Sequence, residues 1–494
     1  MPARHLFSPK DKWEGEHRAY TQRIQGVHSF RDVDISRDVA GQLAAYNQIT
    51  DELQDLIKDA VNQGKTLRAF GSAWSLSKCG VADHDLIATS ALTIGFQISE
   101  NVLAPNYPAA NLDKLRFLEC GASIGSINDY LFSERLSLKA SGSNNGQSLA
   151  GVISTGTHGS AFKFGATQDF VVGLHIVTGP TRHVYLQRQS KKVVTKRFTD
   201  LIGAELIEED DTLFNAALVS FGSFGVIHGV MVETRERFLL RAFRSFQPLD
   251  QSLWKAIGEL DFFDVTLPDS SAGDPMSADD LYHFEVFFNP NEGTPPNEAI
   301  VLMMFEDGWH DYDPPVWHTG SGGISASGLD VMGQLVTMLP STIGGLTRGP
   351  LNDQVRNKFQ PYERVGTIRD LFRGEVTRGK TLACGIGVSL SSTIDALNIA
   401  LGSCVGKVLP LLLSVRYVKS TEALLGFTRH GEVTCVLELD AVNVKDTRDY
   451  IKEVWKGLHD AGINFTLHWG KFNTYLHYCP VKSRILSTGY VPRL

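Results

Sequence analysis

The stretch SGSNNGQSLAGVISTGTHGS, residues 141–160, is the part of this sequence that says most about the fold. Small residues dominate it, so its backbone can lie close to a flat or phosphorylated ligand while its hydroxyls donate hydrogen bonds. Leu149, Val152 and Ile153 supply apolar anchors, which a disordered linker would not need. The pattern therefore favours a ligand-binding segment over a linker.

The glycine content of the whole chain agrees with this interpretation. The 494 residues include 46 glycines, and seven of these lie between Gly142 and Gly173. That is about 9% of the chain, against a usual value near 7%. A surplus that is neither periodic nor confined to a linker indicates backbone that approaches something closely.

The remaining composition excludes several classes of protein. With 43% hydrophobic and 21% charged residues the chain can form large cores, and its length predicts two or three domains. The 47 basic and 55 acidic side chains give a net charge of −8, so nucleic acid is not an expected partner. The most apolar window, residues 397–415, contains polar residues and a proline, so no membrane span is expected.

The cysteines and the N-terminus indicate a cytoplasmic protein. The six cysteines are scattered without a Cys-x-x-Cys pair, which suggests buried free thiols in a reducing compartment. The first residues are charged and lack the apolar core of a signal peptide. No His-Glu-x-x-His motif or clustered His/Cys set occurs, so no metal is expected.

Two short motifs match catalytic patterns, and in both the context favours another explanation. Residues 374–381, GEVTRGKT, fit the phosphate loop, but a polar segment precedes them and a strand-like one follows, so the match is interpreted as a coincidence. Residues 121–125, GASIG, fit the nucleophile elbow. The strand before them is half polar, and Ser123 is a natural helix N-cap, so the cap is favoured. No Gly-x-Gly-x-x-Gly follows the first strand, which argues against a Rossmann domain.

Hydrophobic periodicity predicts an α+β chain in two parts, preceded by a polar, loose N-terminal arm over residues 1–25. In the first part, 26–240, the expected strands are 67–70, 85–94, 115–119, 170–178 and 183–187, and the expected helices are 51–62, 123–131 and 204–218. In the second part, 241–494, the expected strands are 282–288, 381–390, 412–418 and 433–440, with a helix over 444–461 and a glycine/serine loop over 320–328. The second part therefore reads as an antiparallel sheet covered by helices.

Two further segments could contribute to the same site. Residues 68–77, RAFGSAWSLS, read as a strand that runs into a turn of small residues, whose backbone amides could cradle a pyrophosphate. An ordinary strand-to-loop turn is the alternative. Residues 468–471, HWGK, place a basic residue beside an aromatic ring and a glycine, which could hold a cation near a cofactor. Taken alone, a surface or core turn explains them better.

In that order the three segments resemble the FAD-linked oxidases of the vanillyl-alcohol oxidase/p-cresol methylhydroxylase superfamily, and within it the aldonolactone and alditol oxidase branch. The resemblance covers about residues 25–240 and 405–475, whereas 245–400 match poorly. Residues 153–159, ISTGTHG, are the most specific piece, and 221–227, FGSFGVI, look like the family's closing FAD-domain strand. The resemblance implies a two-subdomain FAD-binding (PCMH-type) domain and a substrate domain whose segment 465–494 returns towards the flavin.

The resemblance also implies which residues contact the cofactor. The turn would face the pyrophosphate, and the other segments would line the rest of the FAD. The residues carried over are Phe70, Gly71, Ser72, Ala73, Trp74, Ser75, Ser143, Gly151, Ser154, Thr157, His158, Gly159, Ile227 and His468.

The chain departs from the branch at two positions. The turn usually reads Gly-Ser-Gly-His-Ser, and its histidine carries a covalent bond to the flavin. Trp74 stands there and cannot form that bond, and nothing indicates that Cys79 replaces it, so noncovalent FAD is expected. The branch's Glu-x-Arg motif aligns with Ser414 to Arg416, so the arginine is kept and the carboxylate is lost. This makes a polyol or aldonolactone substrate doubtful, and Glu438 is either a replacement carboxylate or a plain solvent-facing residue.

The resemblance implies an FAD-dependent oxidoreductase that transfers hydride from an alcohol-type CH–OH group of a small molecule to flavin N5, with dioxygen as the acceptor and peroxide as the product. Arg416 and Lys471 would position a hydroxyl and stabilise negative charge on the reduced flavin. Ser414 lies at the altered catalytic position, and Glu438 is the candidate base. An FAD dehydrogenase with another acceptor and a noncatalytic flavin-binding protein are the alternatives.

Overall fold

A computed structural model describes residues 4–31, 38–270, 273, 275–315, 348–373 and 379–474. Three expectations therefore fall wholly or partly outside the described residues: the loop at 320–328, most of the phosphate-loop match and the C-terminal segment beyond residue 474.

The described residues form 10 α-helices and 22 strands. The helices are α1 Val39–Asn62, α2 Ile124–Ser133, α3 Leu149–Thr155, α4 Lys196–Ile202, α5 Asp211–Leu218, α6 Gln251–Glu259, α7 Arg348–Lys358, α8 Ile368–Leu371, α9 Thr393–Gly402 and α10 Lys445–Asp460. The strands are β1 His5–Pro9, β2 Lys12–Glu14, β3 Thr21–Arg23, β4 Gly26–Phe30, β5 Leu67–Phe70, β6 Asp85–Ala88, β7 Gly95–Phe96, β8 Leu115–Glu119, β9 Leu136–Ser137, β10 Val171–Val177, β11 His183–Leu186, β12 Glu205–Ile207, β13 Val226–Glu233, β14 Arg235–Glu236, β15 Leu239–Pro248, β16 Leu281–Phe288, β17 Glu298–Asp307, β18 Tyr362–Gly366, β19 Thr381–Ser389, β20 Leu411–Lys419, β21 Val433–Val442 and β22 Phe465–Leu467.

Two sheets build the first part of the chain. The smaller has the order β1-β4-β6-β5, in which β6 pairs in parallel with both β4 and β5 and β1 pairs antiparallel with β4. The larger has the order β12-β11-β10-β13-β8-β7, in which β8 and β13 are fully or almost fully buried. Helix α1 packs on them through Tyr46, Ile49 and Leu53, which recur at helical spacing and are completely buried.

The second part is an eight-stranded antiparallel sheet in the order β18-β15-β17-β16-β20-β21-β19-β22. Side chains alternate between its two faces. Leu413, Val415 and Tyr417 of β20 join one apolar core with α6, α9 and α10. Ser414 and Arg416 point to the opposite face, towards the first part of the chain, and this alternation puts polar groups where the two parts meet.

The mixed helix and sheet architecture confirms the predicted α+β fold, and most of the expected elements are present. Strand β8 has the predicted bounds, and β19, β20, β21 and α10 differ from prediction by one or two residues at an end. Ser123 is the N-cap of α2 and its hydroxyl accepts a hydrogen bond from the Ser126 amide at 3.0 Å. The cap interpretation of the GASIG motif is therefore confirmed.

The loose N-terminal arm is wrong for the residues that the structure describes. Strand β1 pairs with β4, and β2 pairs with β3 in a hairpin. Trp13 and Ile24 are buried against Leu86. The polar sequence of this segment suggested a loose arm. The strand and the apolar core that it packs against lie elsewhere in the chain, so the segment alone did not reveal them.

Three predicted elements have the wrong extent. The helix expected over 51–62 is the second half of α1, which begins at Val39. The helix expected over 204–218 is a strand, β12, that pairs in parallel with β11 and is followed by the shorter helix α5. Asp210 separates the two, because its carboxylate accepts the Thr212 amide at 2.7 Å and so caps α5. The strand expected over 85–94 ends at Ala88, after which the Leu92 amide donates to the Thr89 carbonyl in a turn.

Candidate functional site

One cavity, of about 440 Å³, brings the three sequence segments together. Its walls are the turn after β5, the glycine-rich segment from Gly142 to His158, the entry to β13 and the segment after β22 that contains Lys471. The Leu76 amide donates to the Gly470 carbonyl at 2.8 Å, which joins the first segment directly to the third. The volume lies in the range of ligand pockets.

The turn after β5 lies directly against the glycine-rich segment. A Cβ on Gly71 would stand 1.7 Å from the Ser148 Oγ, and one on Gly146 would stand 2.2 Å from the Trp74 ring. Ala73 adopts a positive φ of 56°, which turns the backbone back on itself. These contacts require glycine because any side chain would push the two walls of the cavity apart.

The glycine-rich segment is itself folded tightly. Helix α3 ends at Gly156, whose φ of 74° is the left-handed conformation that closes many helices. A Cβ on Gly159 would lie 2.2 Å from the Ser141 carbonyl oxygen, so the two ends of the segment touch. This packing leaves the backbone between them along the cavity wall.

The polar atoms of the cavity fit a cofactor rich in hydrogen-bonding groups such as FAD. In the first part of the chain, three buried atoms of cavity-lining side chains have no hydrogen-bond partner among the described residues: Arg68 Nε, Asn144 Oδ1 and Gln147 Oε1. Buried polar atoms without partners are costly, so this wall is incomplete without a polar ligand. None of these three residues was predicted from the sequence to bind the cofactor.

The inner end of the cavity carries a cluster of charges on the antiparallel sheet. Lys471 Nζ donates to Glu438 Oε2 at 2.6 Å, and His158 Nε2 lies 3.3 Å from Glu438 Oε1. Glu438 is the direct cross-strand neighbour of Ser414. The register therefore puts a carboxylate beside the position from which the Glu-x-Arg motif has lost one.

A second carboxylate engages the arginine. Arg416 Nε donates to Glu285 Oε1 at 2.6 Å, and Ser414 Oγ donates to the same oxygen at 3.1 Å. Glu285 is paired with Arg416 across β16 and β20. Glu285 lies in the strand that was predicted over 282–288, but its contact with Arg416 could not be predicted, because 130 residues separate the two in the chain.

Burial and neighbouring charges move the pKa values of this cluster in opposite directions. Burial opposes ionisation of Glu438, but the Lys471 ammonium, the His158 ring and the Arg416 guanidinium outweigh it and hold the pKa of Glu438 well below its usual range. Burial dominates at Asp440 and raises its pKa to about 7, although Lys471 and Arg416 oppose the shift. Asp440 lines the cavity, and its Oδ1 has no hydrogen-bond partner among the described residues.

Most of the residues predicted for the site line this one cavity. They are Phe70, Gly71, Ser72, Ala73, Trp74, Ser75, Ser143, Gly151, Ser154, Thr157, His158, Ile227, Arg416, His468 and Lys471. Three others lie behind the wall: Gly159 packs on Ser141, Ser414 donates to Glu285, which is the partner of Arg416, and Glu438 accepts a hydrogen bond from Lys471. Asp440 and Glu285 were not predicted, because their roles depend on which strands become neighbours.

Comparison with known proteins supports the class that the cavity indicates. The FAD binding domain family matches residues 42–185. L-gulono-1,4-lactone dehydrogenase of Mycobacterium tuberculosis is 25% identical over 429 residues, which covers 85% of this chain and 84% of that protein. D-arabinono-1,4-lactone oxidase of Candida albicans is 28% identical over 202 residues, which covers 39% of this chain and 32% of that protein.

The solved structures of cholesterol oxidases show the same fold. The cholesterol oxidase from B. sterolicum has a TM-score of 0.65 at 13% identity. The match covers 99% of this chain and 92% of the cholesterol oxidase chain. A solvent-stable cholesterol oxidase has a TM-score of 0.63 at 12% identity, with coverages of 94% and 86%.

Together these matches confirm the resemblance to FAD-linked oxidases near the aldonolactone oxidase branch. They also confirm the predicted class, an FAD-dependent oxidoreductase with an FAD-binding domain.

Three expected features concern the surroundings of the site. No α-helix of the described residues is both long and apolar enough to cross a membrane. Within the same residues, no group of three His, Cys, Asp or Glu side chains is arranged to hold a metal ion. Cys120, Cys384, Cys404 and Cys435 are buried free thiols, as predicted, and Cys79 is a half-buried free thiol at the cavity.

Proposed function

We propose that this protein binds FAD noncovalently and oxidises a CH–OH group of a small polar molecule. The observation that carries the proposal is the charge cluster of Arg416, Glu438, Asp440 and Lys471 at the inner end of a cavity walled by glycine-rich backbone. Bound FAD would supply the hydride acceptor, N5, and its reoxidation by dioxygen would give hydrogen peroxide. We also propose a cytoplasmic location.

Noncovalent binding follows from the residue that stands where the branch has its linking histidine. Trp74 lies with its indole against Gly146, and an indole carries no nucleophile suited to the flavin link. Phe70 to Ser75, Arg68 and the segment from Gly142 to His158 would hold the dinucleotide through backbone and polar side chains.

Lys471 and Arg416 supply the positive charge of the site. Each cation is held by its own carboxylate, Lys471 by Glu438 and Arg416 by Glu285. These pairs fix the two side chains in one geometry, so that each can orient a substrate hydroxyl or stabilise negative charge that develops next to it. The pairs also lower the net charge that the cofactor would experience.

Glu438 and Asp440 differ in how well each could accept a proton from the substrate. Glu438 was the candidate base, but a carboxylate with a strongly lowered pKa accepts protons poorly. Asp440 lines the cavity, and its pKa of about 7 suits a general base at neutral pH. We propose that Asp440 accepts the hydroxyl proton and that Glu438 positions Lys471 and His158.

The polarity of the cluster also bears on the substrate. The lactone relatives are named for polyhydroxylated molecules, and this chain offers charged groups that could bind several hydroxyls. Glu438 lies beside Ser414 and supplies a carboxylate near the position where the motif lacks one. Aldonolactones and polyols are therefore the first substrates to test.

An anaerobic screen tests the proposal. The purified protein should be yellow, should release its flavin in acid or denaturant, and should lose flavin absorbance when mixed with its substrate. Aldonolactones and polyols should bleach the flavin, whereas sterols and amines serve as contrasting classes.

Each alternative has its own result in this screen. Reduced protein that reacts with a quinone or dye but forms no peroxide with dioxygen would indicate the dehydrogenase, a name that one relative carries. Flavin that dithionite bleaches but no donor bleaches would support the noncatalytic alternative.

A further inference from the structure

The hairpin formed by β2 and β3 lies against the cavity. We call residues 12–23 the clasp. Its Trp13 and His17 are 5% and 3% exposed, and both line the cavity together with Tyr20. Lys12, Glu14, Arg18 and Arg23 on its other face are exposed. The clasp is therefore two-sided, with an aromatic face towards the cavity and a charged face towards solvent.

The clasp contacts the turn where the linking histidine of the branch would stand. The His17 ring meets the Trp74 ring edge to face, with centroids 5.2 Å apart. The Glu16 amide donates to the Ala73 carbonyl at 2.8 Å, and a Cβ on Gly15 would lie only 3.1 Å from that carbonyl oxygen. Trp13 meets Phe70, the last residue of β5, edge to face at 5.4 Å.

The clasp also reaches the second part of the chain. The Gly379 amide, just before β19, donates to the His17 carbonyl at 3.2 Å. One short loop is therefore bonded to the turn of the first part and to the start of a strand in the second. On the side of the turn, the aromatic contacts of Trp13 and His17 add to the backbone hydrogen bond, and the Gln22 side-chain amide donates to Asp83 Oδ1 at 2.9 Å. None of these contacts is a hydrogen bond between strands of the two large sheets, so the loop can leave the turn without unfolding either sheet.

We propose that the clasp is part of the FAD site and retains the dinucleotide where this chain has no covalent bond. This role rests on the proposed function. Residues 12–23 would then form the wall over the turn that binds the diphosphate. His17 and Trp13 keep Trp74 and Phe70 in place and exclude water from that wall. FAD enters and leaves when the loop separates from Ala73.

The rate of FAD release, followed by the rise in flavin fluorescence after dilution, tests the clasp. His17→Ala removes the ring that meets Trp74, and Gly15→Val pushes the loop away from the Ala73 carbonyl while every aromatic side chain stays. Each variant should release FAD about tenfold faster than the unaltered protein, since an aromatic pair contributes about one factor of ten in affinity. Lys10→Ala, at an exposed residue just outside the clasp, is the matched control and should release FAD at the unaltered rate.

Hydrogen exchange of the unaltered protein gives a second measurement that needs no variant. FAD should slow exchange of the amides in residues 12–23. Equal release rates for all variants, together with exchange in the clasp that FAD does not change, would overturn the inference. Flavin that stays with the denatured chain would overturn it as well. A chain that never takes up FAD would overturn the proposed function, and this outcome is visible in the unaltered protein alone.

Discussion

The glycine-rich wall and the charged sheet face of the cavity are built in opposite ways. Residues 141–160 form one continuous stretch in which Gly159 touches Ser141, so the wall is local in sequence. The charged face takes Glu285, Arg416, Glu438 and Lys471 from separate elements, spread over almost 190 residues. A surface like the glycine-rich wall can be predicted from a short sequence motif. A surface like the charged sheet face depends on which strands become neighbours and in what register.

Glu438→Ala should have the largest effect on stability, because it removes a carboxylate from the charged sheet face, which depends on strand register. The change leaves the Lys471 ammonium and the buried His158 without their carboxylate. Removing one partner of a buried ion pair costs about 3–5 kcal/mol of folding stability. Because Lys471 is partly exposed and solvent screens its charge, we expect a loss at the lower end, about 3 kcal/mol. Denaturant unfolding at pH 7 measures it, with Asp449→Ala in the exposed Lys445 pair as the matched control.

The pH dependence of that loss sharpens the test. The folded-state pKa of Glu438 is lowered, so its contribution is fully present above the ordinary glutamate pKa of about 4.3 and is lost as the pH falls through the folded value. The difference between the unaltered protein and the variant should therefore shrink in acid. A difference that stayed constant from pH 7 to pH 3 would mean that charge pairing is not its source.

Asp440→Asn should give the next largest effect, on rate rather than on stability. Loss of a general base slows reactions by about a hundredfold or more, so anaerobic flavin reduction by a substrate found in the screen should slow by about that factor. In the unaltered protein the rate should rise with pH through about 7, since the carboxylate forms above that value, and the variant should lose this step. Asp460→Asn, in an exposed helical pair, is the control.

A variant that keeps the pH step would remove Asp440 from the base role. The pH profile is needed because a merely structural role for Asp440 would lower the rate without removing the step.

Gly159→Ala should have a smaller effect and tests the local wall. The new Cβ would stand 2.2 Å from the Ser141 carbonyl oxygen, and forcing extra atoms into packed structure costs about 1–3 kcal/mol. Thermal unfolding should show this loss, and flavin content should fall with it. Gly179→Ala, where a Cβ meets nothing within 4 Å, is the control. Equal melting temperatures for the two variants would show that the segment can relax, which is not expected of a rigid wall.

Prediction from sequence succeeded where elements and motifs are local. Strand β8 and the Ser123 cap depend on residues that are neighbours in the chain, and both were predicted. Strand β12 was missed because its short sequence reads as helix until it pairs in parallel with β11. The N-terminal hairpin was missed because Trp13 finds its partners, Phe70 and Leu86, more than fifty residues away.

The same distinction holds for the site. Arg416 and Lys471 came from motifs, and Trp74 was recognised as a departure at a known position. Glu285 and Asp440 came only from the structure, because no spacing in one strand predicts which residue of another strand lies opposite.

The sequence by itself predicted a segment of close backbone contact, because a run of small residues with apolar anchors admits such contact wherever it is placed. The resemblance of its motifs to the FAD-linked oxidases supplied the expected fold and the expected cofactor. The tertiary structure alone decided how the charges pair, since pairing depends on cross-strand register and on burial, neither of which is written in any one segment. It also decided the position of the clasp. The sequence of this polar N-terminal segment does not indicate which turn of the chain it will cover.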